Sequence, residues 1–466
     1  MRRSACLLIV ALAAALLPGV THAAAAVPPN IVFVLVDDGA LNSMQHMPQT
    51  RSLIAGGGAT LNQFIYNQPL CCPSRATMLR GQYSHNTGVT SNGGPNGGYR
   101  SFYRKGNEAS TLATWLDAAG YATAYFGKYM NAYPAGAGLP SSHVPPGWDR
   151  WFATFDDSTD GYNYSVNDNG TVRSYGAAAT DYVTDVLATQ AKAFVQQSAA
   201  PFFLMVAPNA PHTPSTPAPR HQSLFSGVQY PRTPSFNEAD VSDKPSTIRG
   251  LPRMTSSAIA QLDAQYRKRL ASLQAIDEMA RGIIDALTAR GLLGNTYVVL
   301  TSDNGYLQGE HRVQKGKDLP YEPSVRAPLY IRGPGIPAGS TVTHLVGNVD
   351  VPVTFAHAAG VTAPSFVDGR SFLPLVQGAS IPWRQSYLLG RGGAGGFTGL
   401  RTPRYTYVEY LNGEMEFYDR STDPYQLVNT YRTMDPKLRT ALHDRLLALK
   451  TCKGAVCRQV ESSPLS

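Results

Sequence analysis

The chain has 466 residues, too many for one small core and too few for a string of modules, so one large domain with a smaller companion is expected. Hydrophobic residues make up 43% and charged residues 15%, with 43 glycines and 34 prolines, a loop-rich globular composition that excludes a coiled coil and a disordered chain. The 40 Lys and Arg against 32 Asp and Glu give a net charge of +8, which favours sulfated, phosphorylated or uronic-acid polymers as partners. No Lys/Arg run, zinc-finger spacing or RNA-binding aromatic motif accompanies that charge, so nucleic acid is not an expected partner.

Residues 1–26 read as a cleaved secretory signal: Arg2 and Arg3, an apolar stretch from Ala5 to Leu17, then small residues. The stretch is shorter than the ~20 residues a bilayer core needs, so no stable membrane span is expected, and the mature protein is secreted or periplasmic. Cys6 leaves with the signal. Cys452 and Cys457 close a short loop and are expected to form a disulfide, which an oxidising compartment permits. Cys71 and Cys72 are adjacent and need another explanation.

Apolar runs then alternate with amphipathic stretches, as in an α/β sheet with helices on both faces. Ile31–Val36 is β-branched and lacks alternation, which predicts a buried strand. The runs 121–126, 202–206, 297–300 and 329–331 read the same way. Leu262, Tyr266, Leu270, Leu273, Ile276, Ile283 and Leu287 recur at helical spacing and stop at Gly291, predicting a long helix over 257–290. Asn169-Gly170 fits a two-residue hairpin turn. Residues 213–256 carry seven prolines and little periodicity, the kind of excursion that borders a site. The stretch 390–399 is glycine-rich but lacks a phosphate-loop ending, so it reads as a loop with no nucleotide role. An antiparallel pair at 405–410 and 414–418 and a helix at 436–450 make a small C-terminal subdomain. The expected division is a signal at 1–26, a catalytic domain at 27–379 and a C-terminal subdomain at 380–466.

Polar residues collect just past the C-terminal ends of the apolar runs, where open α/β sheets place their ligands. Asp37 and Asp38 follow the first run, Lys128 the second, His212 the third, and Asp303 and Asn304 the fourth. An aspartate after a strand is commonly a turn or cap, and a lone histidine or lysine is commonly at the surface. Their shared topological position points instead to one site. Three carboxylates and an amide oxygen form a hard ligand set, suited to Ca²⁺ or Mg²⁺ and poor for zinc. Without a cation the acids would raise one another's pKa values, so a bound metal is expected.

Pro73 suits the first turn of a helix running to about Arg80, which sets Cys71 at or just before a helix N-terminus where free N–H groups favour an anion. The order Cys71-Cys72-Pro73-Ser74-Arg75, then Leu79 and Gly81, resembles the motif of the type I, formylglycine-dependent sulfatases, a branch of the alkaline-phosphatase-like superfamily. The resemblance extends to VLVDDG at 34–39, FGKY at 126–129, APHTP at 210–214, TSDNG at 301–305, KGKDLPYEPSVRAPLYIRGPG at 315–335 and EFYDRSTDPYQLVN at 416–429. CCPSR, GKYMNAY and PPGW resemble the extracellular heparan and N-acetylglucosamine-6-sulfatase branch more than the arylsulfatases.

This resemblance implies an alkaline-phosphatase-like fold: a large mixed, mostly parallel sheet flanked by helices, with a small C-terminal α+β subdomain on an antiparallel sheet. It implies that a maturation enzyme oxidises Cys71 to formylglycine (3-oxoalanine). One hydroxyl of the hydrated aldehyde would attack sulfur and release the alcohol; the other would then lose its proton and expel sulfate. Asp37, Asp38, Asp303 and Asn304 match calcium ligands, with residue 71 beside the metal, and Mg²⁺ is the lesser alternative. Arg75 matches an arginine that neutralises charge around the nucleophile and metal. Lys128 and Lys317 match lysines that hold sulfate oxygens, with Lys317 preferred to Lys315 because Tyr321-Glu322 follows it. His212 matches a histidine that contacts sulfate and protonates the leaving oxygen. Met130 stands where many members have histidine, and Cys72 reads as a buried thiol.

The resulting expectation is a secreted sulfuric ester hydrolase acting on sulfated carbohydrate such as N-acetylglucosamine-6-sulfate groups. The alternatives are a broad arylsulfatase acting on aryl sulfates, a phosphonate or phosphodiester hydrolase of the same superfamily, and an inactive glycan-binding protein in which Cys71 is never converted.

Overall fold

The computed structural model describes residues 27–465 apart from Ala394, and all their side chains but that of Asp157. The expected signal at 1–26, with Cys6, lies outside the described residues. Asn30–Val36, apolar from Ile31 onward, is buried throughout, as a strand covered on both faces requires. It lies in a ten-stranded sheet, hydrogen-bonded in parallel to Phe202–Ala207 on one side and Thr296–Ser302 on the other. Ala122–Lys128 and Arg150–Thr154 continue the parallel set beyond Phe202–Ala207.

The direction reverses toward both margins. Leu329–Arg332 runs antiparallel to Thr296–Ser302; the segment 303–328 between them carries site residues and the four-residue helix Glu322–Val325, with no crossover helix to return the chain for parallel pairing. Ala59–Leu61 and Ser340–Val342 complete that margin. On the other, Tyr164–Asp168 and Thr171–Tyr175 form the hairpin expected from Asn169-Gly170. The result is a large mixed, mostly parallel sheet flanked by helices. The longest helix, Ser256–Ala289, buries the seven residues of its expected stripe and is capped by Thr255, whose side chain accepts from the Ala258 N–H.

A separate four-stranded antiparallel sheet contains Tyr387–Arg391, Phe397–Arg401, Tyr405–Tyr410 and Met415–Asp419 in that order. The last two are the expected pair. The first two reach into 390–399, which reads as loop from its glycines alone; Gly390 and Gly399 are strand residues, paired with Thr398 and Leu389. Pro436–Leu449 packs Leu442, Leu446 and Leu449 into a core shared with this sheet. Cys452 and Cys457 are joined by a disulfide between that helix and Ala455–Ser462.

Candidate active site

Parallel pairing sets Val36 opposite Ser302, so the residues after each strand emerge side by side. Asp38 donates its backbone N–H to Asp303 Oδ1 at 3.0 Å, and Asn304 Nδ2 donates to Asp38 Oδ1 at 2.7 Å. Asp38 has φ of 63°, a left-handed conformation that a non-glycine residue holds only against local strain. Arg269 of the long helix anchors that turn, donating to the Asp38 carbonyl and, at 3.1 Å, to the Pro211 carbonyl. One buried guanidinium thus ties the acidic turn to the loop carrying His212.

Lys128 ends its strand beside the acids, with Nζ 2.6 Å from Asp37 Oδ2. The preceding Gly127 is required: its φ is 110°, and a Cβ there would lie 2.2 Å from the Ala207 carbonyl oxygen. His212 donates from Nδ1 to the Thr213 carbonyl at 2.8 Å, which leaves Nε2 facing Asp38 Oδ2 at 3.8 Å.

The helix Cys71–Arg80 begins at Cys71 and ends at Gly81, whose φ of 68° makes the C-terminal cap. Pro73 is its third residue, still within the first turn. Arg75, one turn after Cys71, donates from Nε to Asp303 Oδ2 at 2.9 Å and from Nη1 to the Lys128 carbonyl at 2.6 Å. Cys71 Sγ lies 3.6 Å from Asp37 Oδ1, 3.6 Å from Lys128 Nζ and 2.9 Å from Lys317 Nζ. Lys317 also pairs with Asp38. Lys315 is exposed.

All nine residues singled out from sequence around the nucleophile therefore meet in one cluster: Asp37, Asp38, Cys71, Arg75, Lys128, His212, Asp303, Asn304 and Lys317. Most are buried. The His212 side chain is 30% exposed and that of Lys317 13%, so these two form the rim through which a ligand would enter.

Burial alone would raise the Asp37 carboxyl, but Lys128, His212, Arg75 and Lys317 together hold it well below the usual carboxylate range. Asp38 is also lowered, burial being outweighed mainly by Lys317. Asp303 goes the other way: burial and the neighbouring Asp37 push it up despite Arg75. Burial pushes the Cys71 thiol up to about 11 although both lysines pull it down, so the residue as encoded is a neutral thiol at pH 7.

The residues fit a hard divalent cation. One ligand atom each from Asp37, Cys71 and Asp303 lie within 4.8 Å of one another. Asn304 Oδ1 is buried and has no hydrogen-bond partner, an acceptor left free where a cation would satisfy it.

Sequence reading passed over Arg269. Its signal was present: Arg269 shares the helix face of Tyr266, Leu270 and Leu273, so a charge interrupts an apolar stripe. Cys72 is a buried free thiol whose Sγ accepts from the Asn131 N–H at 3.2 Å. His311 pairs with Glu238 at 2.6 Å, and His85 bonds the Cys452 carbonyl at 2.9 Å. Met130 is buried, and the nitrogens that reach residue 71 are those of Lys128 and Lys317.

Comparison with known proteins agrees with this geometry. Residues 29–361 match the sulfatase family model, and residues 309–452 match that of the N-sulphoglucosamine sulphohydrolase C-terminal region. N-acetylglucosamine-6-sulfatases of Capra hircus and Homo sapiens are each 33% identical over 92% of this chain, which covers 85% and 86% of their lengths. An extracellular sulfatase SULF-1 homolog of Drosophila melanogaster is 37% identical over 78% of the chain, which spans only 33% of that longer protein. A structure in complex with its substrate D-glucosamine-2-N,6-O-disulfate superposes with a TM-score of 0.78 at 24% identity, covering 93% of this chain and 99% of the other. The chain belongs to the sulfatase family, in the branch of the N-acetylglucosamine-6-sulfatases. It is a hydrolase of sulfate esters with the alkaline-phosphatase-like fold.

Proposed function

We propose that this sulfatase removes sulfate from the 6-position of N-acetylglucosamine in sulfated carbohydrate, with Cys71 converted to formylglycine and a calcium ion held by Asp37, Asp38, Asp303 and Asn304. The observation that carries the reading is the surroundings of Cys71: a helix N-terminal residue set against Asp37 and two lysines, yet with its thiol held neutral. A neutral thiol is a poor nucleophile, whereas the hydrated aldehyde would supply one hydroxyl to attack sulfur and a second to expel sulfate. Calcium, when bound, would polarise a sulfate oxygen as a Lewis acid.

The remaining chemistry belongs to side chains in place. Lys128 and Lys317 flank residue 71 and would hold the non-bridging sulfate oxygens. His212, oriented through Nδ1 by the Thr213 carbonyl, presents Nε2 on the rim, where it would give its proton to the departing sugar oxygen. Arg75 binds Asp303 and the Lys128 backbone, holding metal ligand and sulfate ligand in fixed relation. Residues 1–26 and the Cys452–Cys457 disulfide support secretion or a periplasmic location, with a formylglycine-generating enzyme as the partner that converts Cys71. Among the described residues no helix is long and apolar enough to cross a membrane.

The phosphonate monoester hydrolase of Agrobacterium radiobacter shares the fold, with a TM-score of 0.72 at 20% identity. Rates on N-acetylglucosamine-6-sulfate and the matched 6-phosphate separate the two chemistries. Higher kcat/KM on the sulfate is expected, and a preference for the phosphate would overturn the proposal.

A further inference from the structure

Lys317 is anchored differently from the rest of the cluster. It lies in the irregular segment 303–321, between the strand Thr296–Ser302 and the helix Glu322–Val325, so no regular element fixes its side chain. Gly316 exchanges backbone hydrogen bonds with Leu307, and the Asp318 N–H donates at 3.0 Å to the carbonyl of Pro69, just ahead of Cys71. Asp318 has φ of 63°, a left-handed conformation that a non-glycine residue keeps only when its surroundings hold it. The turn sends two consecutive side chains to different partners. Lys317 goes to Asp38 and Cys71, while Asp318 Oδ2 lies 3.3 Å from Arg391 Nε.

Arg391 belongs to the C-terminal sheet, as the last residue of the strand Tyr387–Arg391. That strand also grips the approach to the helix bearing Cys71: the Gly390 N–H donates to the Asn67 carbonyl at 2.8 Å, and Asn67 Nδ2 donates to the Leu388 carbonyl at 2.9 Å. Asp318 has two cations for neighbours, since Arg391 and Lys317 both favour its ionised form. A carboxylate freed from Arg391 would attract the adjacent Lys317 ammonium and compete with Asp38 and residue 71 for it. The Arg391 side chain is 30% exposed and that of Asp318 13%, so the pair is partly shielded from the screening that makes surface ion pairs weak.

We propose that Arg391 is a positioning residue for Lys317: by occupying the Asp318 carboxylate, the C-terminal sheet keeps the Lys317 ammonium on residue 71. The inference rests on the reading of Lys317 as a sulfate ligand and deepens it, because it makes the C-terminal sheet part of the reacting site without any contact to the sugar.

The test measures kcat/KM on N-acetylglucosamine-6-sulfate and on nitrophenyl sulfate at pH 8, where the Asp318 carboxyl, pushed up to about 7 by burial, is ionised. Rates are taken per aldehyde at position 71, counted by mass spectrometry in each variant, so that a change in conversion does not enter. Arg391→Ala and Arg391→Gln are each expected to lower both values about tenfold, because Lys317 holds the sulfate that the two substrates share. In a Lys317→Ala background the same substitutions should cost less than about twofold, since the group they position is gone. Adding Asp318→Asn to Arg391→Ala should recover most of the loss, because the competing carboxylate is removed; a merely structural role for the ion pair would give no such recovery. Unchanged activity in both Arg391 variants, or a loss that Asp318→Asn deepens, would overturn the inference. A loss confined to the sugar substrate would overturn it as well, since Arg391 would then be touching the sugar itself. Full activity in Lys317→Ala would remove the reading of Lys317 and the inference together, whereas an impaired Lys317→Ala beside unimpaired Arg391 variants would reject the inference alone.

Discussion

At the scale of single residues, two lysines two positions apart have different surroundings. Lys317 touches Cys71 and Asp38, whereas Lys315 is exposed. Lys317→Ala is expected to lower kcat/KM for sulfate release by about 10²–10³, the usual loss of a charge-stabilising donor, and Lys315→Ala by less than about twofold. Asp318 gives a pH signature. Burial pushes its carboxyl up to about 7 even with Arg391 beside it, against an unfolded value of about 3.9. Between those pH values the unfolded chain has released a proton that the folded chain keeps, so stability falls as pH rises through that window and is level above it. Asp318→Asn is expected to raise Tm at pH 8 and leave it unchanged at pH 3.5, read from melting curves across the range. The clustering was legible because eight of the nine residues follow an apolar run or sit in the Cys71 motif, while Lys317 came only from the resemblance of the segment 315–335. The partnerships were not: that Arg75 bridges Asp303 and the Lys128 backbone follows from three-dimensional closure, which no spacing encodes.

At the scale of elements, the long helix Ser256–Ala289 both covers the sheet and braces the site. Arg269 has no exposed surface, stacks over Tyr306 with its guanidinium 4.2 Å from the ring centroid, and bonds two carbonyls in separate loops. Arg269→Met keeps the packing volume but leaves the Asp38 carbonyl without its side-chain donor, at about 1–3 kcal/mol, while the Pro211 carbonyl keeps only the Ser215 hydroxyl at 2.7 Å. The urea midpoint should therefore fall. Because the lost bonds fix the turns bearing Asp38 and His212, calcium affinity by calorimetry should fall as well, which a purely structural loss elsewhere in the helix would not produce. The five apolar runs read from sequence are all strands, since continuous β-branched burial is a strong local signal. Ala59–Leu61 and Ser340–Val342 were illegible because three residues are too few to show a pattern. Tyr387–Arg391 and Phe397–Arg401 were hidden by glycines that the sheet tolerates through cross-strand pairing.

At the scale of the whole molecule, the site gathers three carboxylates, Arg75, Lys128 and Lys317 at the meeting of four strand ends. Such a cluster stabilises the fold most when a divalent ion binds the folded state alone. Chelation should lower Tm, and calcium at a hundredfold its Kd should restore about 2.7 kcal/mol, more than magnesium does; indifference to both ions would count against the ligand set. The general architecture was legible from the order of runs and from motif resemblance. The contact of the C-terminal sheet with the main sheet was not, because it depends on how two independently patterned surfaces meet. The central claim is that residue 71 is not a cysteine in the working enzyme. Mass spectrometry of the peptide containing it, from protein secreted by a host that carries the maturation enzyme, tests this most directly. An aldehyde at position 71 in the active fraction is the expected result, and a full complement of unmodified thiol in protein that still releases sulfate would contradict it.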